Sequence, residues 1–162
     1  KASYGDFILI ADWRFPAEPV TKLLPVTLPT GDEAANPDGT RKTEPRVFAG
    51  NSGIFLRGSR KAEVNMTCKS TGSGEIYGFR VDRSLPQDLR AGMVPTTNAD
   101  RKPGQWNRFV ITMIGDRLTV VLNDQRVIDQ KQLPGIAPNG PLGLQHHGDP
   151  LEFANIFIKE LD

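Results

Sequence analysis

The chain has 162 residues, a formal net charge of +1 and a mean hydropathy of −0.37. That length suits one domain with a two-layer core, and so balanced a charge supplies neither the basic field of a nucleic-acid binder nor an acidic sink for cations. No apolar run approaches the roughly 18 residues of a membrane span, and the single cysteine, Cys68, excludes an internal disulfide and any Cys-based zinc site.

The chain opens at Lys1 with neither a Met nor a signal peptide, the pattern of a mature or trimmed product. Residues 6–15 predict a strand, with Phe7, Leu9, Ala11 and Trp13 on one face and Ile8, Ile10, Asp12 and Arg14 on the other. Apolar residues on both faces place it inside a sheet rather than at an edge, and Pro16 and Pro19 end it. From Val20 to Pro45 there is no sustained period, so this stretch predicts a long excursion with one short strand near Leu24 to Leu28. Its acidic residues Asp32, Glu33 and Asp38 lack the spacing of an EF-hand.

Asn51 to Cys68 alternates at period two on either side of a short break. Ile54 and Leu56 oppose Phe55 and Arg57; Val64 and Met66 oppose Glu63 and Asn65. Cys68, within this pattern, suits a small buried hydrophobe. Asn65-Met66-Thr67 matches a glycosylation sequon, but a strand interior is a poor acceptor. After Gly72-Ser73-Gly74, residues 75–80 predict another strand. Ser84 to Gly92 predicts the one helix, with Ser84 as cap, Leu85 and Leu89 on one side and Gly92 as terminator.

Trp106 to Ile114, Leu118 to Leu122 and Arg126 to Asp129 predict a meander turned at Gly115-Asp116 and Asn123-Asp124. Two further strands with a polar corner between them follow within residues 140–148 and 151–161. In the first, Leu142 and Leu144 share a face with His146, while Gln145 and His147 share the other. Strands at regular spacing with hardly any helix predict an all-β sandwich or jelly roll.

The chemistry on offer is narrow. There is no nucleophile elbow, phosphate loop or dinucleotide fingerprint, and the two histidines are adjacent, so a strand would point them to opposite faces and away from a common metal. What remains is a polar set on strands: Arg57, Glu63, Asn65, Glu75, Gln145 and His147, with Tyr77 and Trp13 as stacking surfaces. Taken singly, each has an ordinary structural explanation. Together, a guanidinium, carboxylates, amides and an imidazole suit a polyhydroxylated ligand and proton transfer.

Tyr4-Gly5-Asp6-Phe7 with Asp12-Trp13-Arg14, Asn51-Ser52-Gly53-Ile54-Phe55-Leu56-Arg57-Gly58 and Glu63-x-Asn65 resemble the 3-keto-disaccharide hydrolase domain family, a group provisionally assigned as secreted glycosyl hydrolases. Pro103 to Asn107, Leu118 to Asn123, Gly143 to Gly148 and Phe153-x-Asn155-Ile156 carry the resemblance across nearly the whole chain. It implies a concanavalin A-like jelly roll of two antiparallel sheets, a bacterial protein that is secreted or periplasmic, and a carbohydrate substrate. It also implies a groove holding Arg57, Glu63, Gln145 and His147. Two departures stand out: Asn65 occupies a place where the family more often has Gln, and the family's usual opening strand before Tyr4 is missing.

The substrate class implies the mechanism. A ketone at sugar carbon 3 acidifies the proton on carbon 2, and the enolate left by its removal expels the glycosidic oxygen from carbon 1. Addition of water completes a net hydrolysis. Glu63 or His147 is then the base and Arg57 the enolate stabiliser, with Asn65, Gln145, Tyr77 and Glu75 as substrate contacts. No cofactor is called for; a divalent metal polarising the ketone would assist, but the sequence supplies no clear ligand set. The competing expectations are a non-catalytic carbohydrate-binding module on the same scaffold and an interaction domain of a larger exported protein.

Overall fold

The computed structural model describes residues 2–161. Ten strands and two short helices run in the order β1 (Phe7–Arg14), β2 (Val20–Pro25), β3 (Thr43–Phe48), β4 (Ser52–Leu56), β5 (Ser59–Met66), α1 (Tyr77–Val81), α2 (Gln87–Ala91), β6 (Asn107–Ile114), β7 (Arg117–Leu122), β8 (Gln125–Gln132), β9 (Gly143–Leu144) and β10 (Glu152–Glu160). A five-stranded antiparallel sheet, β10-β1-β6-β7-β8, packs on a three-stranded one, β5-β4-β9, with β2 and β3 as a separate ribbon. This is the all-β sandwich expected from the alternation, in the concanavalin A-like jelly-roll form that the family resemblance implied.

The period-two pattern explains the core directly. Phe7, Leu9, Ala11 and Trp13 of β1 all turn inward, as do Phe109, Ile111 and Met113 of β6 and Leu118, Val120 and Leu122 of β7. From the smaller sheet, Ile54, Leu56, Val64 and Met66 close the other side. Trp13 packs tilted on Phe109 at 5.7 Å and is 2% exposed, so it is a core residue rather than the stacking surface the sequence suggested. The meander matches its turns: Gly115 takes φ +56°, and Asn123 and Asp124 take +49° and +66°, the left-handed pair of a type I′ hairpin.

Four expectations are corrected. The excursion after β1 is a folded ribbon: β2 pairs with β3 from Val20–Phe48 to Pro25–Thr43, and bridges at Thr27–Glu33 and Ala35–Arg41 extend it. Residues 75–80 are not a strand. Pairing stops at the Val64–Ile76 bridge, and α1 then lies so close on β5 that a Cβ on Gly78 would meet Lys61 Cα at 2.5 Å. The second helix is shorter than expected; Gly92 does end it, but Ser84 bonds to Asp82 and Pro86 stands at the N-terminus. Finally, β4 and β5 are joined by a two-residue turn at Arg57 and Gly58, with φ of +47° and +70°, which removes Arg57 from the strand alternation.

Candidate active site

The outer face of the smaller sheet carries four of the polar candidates, Glu63, Asn65, Gln145 and His147. Phe55 pairs with Glu63 and Gly53 with Asn65, so these side chains project together, away from the core. On the other side of β4, Gln145 follows β9 and donates its backbone N–H to Gly53 O at 2.9 Å, which brings Gln145 and His147 to the same face. The β2–β3 ribbon overhangs this surface through Leu24, Pro25 and Phe48, and α1 walls it with Tyr77. The result is a cleft of about 290 Å3 holding Glu63, Asn65, Gln145, His147 and Tyr77.

Glu63 is its most constrained group. The residue is 6% exposed, and burial pushes its carboxyl above the usual carboxylate range; Glu75 adds to this, while the Asn65 hydrogen bond and the charge of His147 oppose it. Asn65 Nδ2 donates to Glu63 Oε1 at 3.1 Å, to Ser52 O at 3.0 Å and to Asn51 Oδ1 at 3.1 Å, so the amide acts as a bracket for the acid. Gly53 makes the room: a Cβ there would meet Glu63 Oε1, at 2.4 Å. His147 stands half-exposed at the mouth, its Nδ1 3.9 Å from Asp149 Oδ2. That carboxylate is itself fixed by the Asn51 N–H at 3.0 Å. Gln145 Oε1 is buried without a donor.

Two sequence candidates lie elsewhere. Arg57 does not reach the cleft. Its turn aims the guanidinium at the end of the sandwich, where it donates to Gly5 O, Gly115 O, Ala137 O and Asp6 Oδ1. Glu75 is fully buried behind the cleft wall, ion-paired to Arg80 and 3.4 Å from Lys69 Nζ. It holds Lys69 in place instead of facing the cleft.

The cations that do line the cleft are Lys69 and Arg41. Lys69 was legible in principle, because the i, i+2 ladder through Glu63 and Asn65 reaches Thr67 and Lys69 in two more steps. Arg41, paired to Glu33 at 2.7 Å, comes from the ribbon's connection and leaves no such signal. Among the described residues no group of three or more His, Cys, Asp or Glu is placed to hold a metal ion. A larger hollow of about 690 Å3 is lined mainly by apolar residues such as Leu9, Ile54, Leu144 and Ile156, with Arg60 and Tyr4 but no carboxylate or imidazole.

Residues 1–159 match the family model of the 3-keto-alpha-glucoside-1,2-lyase-like domain. Three similar solved structures come from Parabacteroides distasonis and are provisionally described as glycosyl hydrolases. One is 25% identical, with a TM-score of 0.61 over 99% of this chain and 66% of its own. Another is 18% identical, with a TM-score of 0.58 over 99% of this chain and 81% of its own, and bears on the fold alone. The chain thus spans 66% of the first of these relatives. No curated protein matches it. No helix among the described residues is long and apolar enough to cross a membrane.

Proposed function

The chain belongs to the 3-keto-alpha-glucoside-1,2-lyase-like domain family, and from that membership we propose that its cleft takes a 3-keto-glycoside and cleaves the glycosidic bond by elimination followed by hydration. The observation that supports this is the buried Glu63 carboxyl, made more basic by desolvation, in one cleft with an ammonium and an imidazole. In this reading Glu63 removes the proton from carbon 2, and the electron pair moves into the ring enolate. Lys69, in place of Arg57, stabilises the negative charge on the carbon 3 oxygen. The enolate collapses, the bond from carbon 1 to the glycosidic oxygen breaks, and His147 at the mouth gives that oxygen its proton. Water then adds across carbons 1 and 2. Asn65 orients the base, Gln145 Oε1 accepts a sugar hydroxyl, and Tyr77, 41% exposed, lies against the ring. The family resemblance also supports export to the periplasm or medium.

The test is Glu63→Gln assayed on a 3-keto-glucoside. We expect kcat to fall by about 100-fold or more with sugar affinity nearly unchanged. Full turnover by this variant rejects Glu63 as base, and sugar binding by the wild type with no turnover makes the domain a carbohydrate-binding module.

A further inference from the structure

Beside the cleft lies a second hollow of about 200 Å3, which meets it at Thr67 and Lys69. Its inner wall is apolar, formed by Trp13 and Phe15 in edge-to-face contact at 5.3 Å. Its rim is cationic: Arg46 of β3, and Arg101 and Lys102 of the loop before β6, join Lys69 there. Among the described residues none of Arg46, Arg101 and Lys102 forms an ion pair. Arg46 uses Nε on Cys68 O at 3.4 Å, and Arg101 uses one Nη on Trp106 O at 3.2 Å.

The acids nearby do not neutralise this rim. Asp100 lines the hollow, but its Oδ2 accepts the Ser73 N–H at 2.8 Å, its Oδ1 is buried, and burial pushes its carboxyl pKa up. Asp12, which feels the charge of Arg101, is held by Arg108 at 2.6 and 2.7 Å and by Asn155 at 2.7 Å. Arg46, Arg101 and Lys102, without ion-pair partners among the described residues and set beside the Glu75-paired Lys69, repel each other, and an anion seated among them relieves that repulsion.

We propose that this hollow is a subsite for an anionic substituent, a carboxylate or a sulfate ester, on the sugar unit adjoining the one held at Glu63. The Trp13–Phe15 wall keeps water from one side of the contacts, which strengthens them. The inference rests on the proposed carbohydrate function and narrows its substrate class to acidic disaccharides.

The experiment is calorimetric titration of the chain with three disaccharides: one bearing a glucuronate, one a sulfate ester, and their neutral counterpart. An anionic sugar is expected to bind about tenfold tighter than the neutral one, the sum of a few partly exposed charge contacts. That preference shrinks in about 1 M salt, where the Debye length is about 3 Å. In the Arg46→Gln, Lys102→Gln double variant it falls below about twofold. Preference for only the uronate or only the sulfate identifies the substituent. Equal affinity for charged and neutral sugars, a preference untouched by the double variant, or no measurable binding of any of the three overturns the proposal. A charge preference without turnover of 3-keto-glycosides retains the subsite and removes the lyase; turnover without the preference does the reverse.

Discussion

Replacing Arg57 by Met separates a structural from a chemical role. The guanidinium makes five hydrogen bonds to four acceptors on three distant segments: Gly5 O is held by Nε at 3.1 Å and Nη2 at 2.7 Å, Gly115 O and Ala137 O by Nη1 at 2.6 and 3.1 Å, and Asp6 Oδ1 by Nη2 at 3.1 Å. Each charge-assisted bond contributes about 1.5–3 kcal/mol. Gly115 and Ala137 are exposed and the Asp6 side chain is 38% exposed, so water replaces a lost donor there, whereas Gly5, held twice, is half-buried. The net loss for Arg57→Met is therefore about 3 kcal/mol. For a chain of this size that lowers Tm by about 6–12 °C. Thermal unfolding followed by circular dichroism measures this, alongside turnover at a temperature where both proteins are folded. We expect the Tm to fall and kcat/KM to stay within about threefold of wild type, about 0.7 kcal/mol. A Tm within about 2 °C of wild type with turnover down by about 100-fold would refute the placement of this side chain outside the chemistry.

Two further outcomes follow from the Glu63 pocket. Burial raises the Glu63 pKa above its unfolded value, so the native state keeps a proton over a range where the unfolded chain has lost it. Stability then falls as pH rises through that window, which begins near the ordinary carboxylate value, and remains lower above it. Glu63→Gln removes this slope: melting curves should show the variant more stable than wild type at neutral pH and equal to it below about pH 4, and a wild-type advantage at neutral pH contradicts the sign. Gly53→Ala places a Cβ 2.4 Å from Glu63 Oε1 and 2.6 Å from its Cγ. Moving the acid off its place should cost about 100-fold in turnover, against an overpacking penalty of about 1–2 kcal/mol seen as a Tm fall of about 2–8 °C. Unchanged turnover in a folded Gly53→Ala protein contradicts the assigned geometry.

The strands proved readable wherever one face was buried. Phe7, Leu9, Ala11 and Trp13, or Phe109, Ile111 and Met113, alternate because a pleated strand has no other way to present a core. The same rule set Glu63 beside Asn65 and Gln145 beside His147. The signal failed where charge was buried. Arg80 closed the expected strand over residues 75–80, yet it is 1% exposed against Glu75, and so short a run does not distinguish strand from helix by period. The ribbon left no signal because apolarity does not follow its faces: Leu23, Pro45 and Val47 are exposed while Glu44 and Arg46 are half-covered, so burial alternates along β3 but hydrophobicity does not.

By itself the sequence determined the all-β class, the strand faces and the hairpin turns, since these depend on side-chain period and on φ preferences only a few residues apart. Only the tertiary structure decided which charged groups meet. Lys69 and Arg41 enter the cleft, while Arg57 is consumed by carbonyls 52 to 80 residues away in the chain. Such pairings are fixed by how loops and sheets close on one another, and no local pattern encodes the partner of a long, flexible side chain.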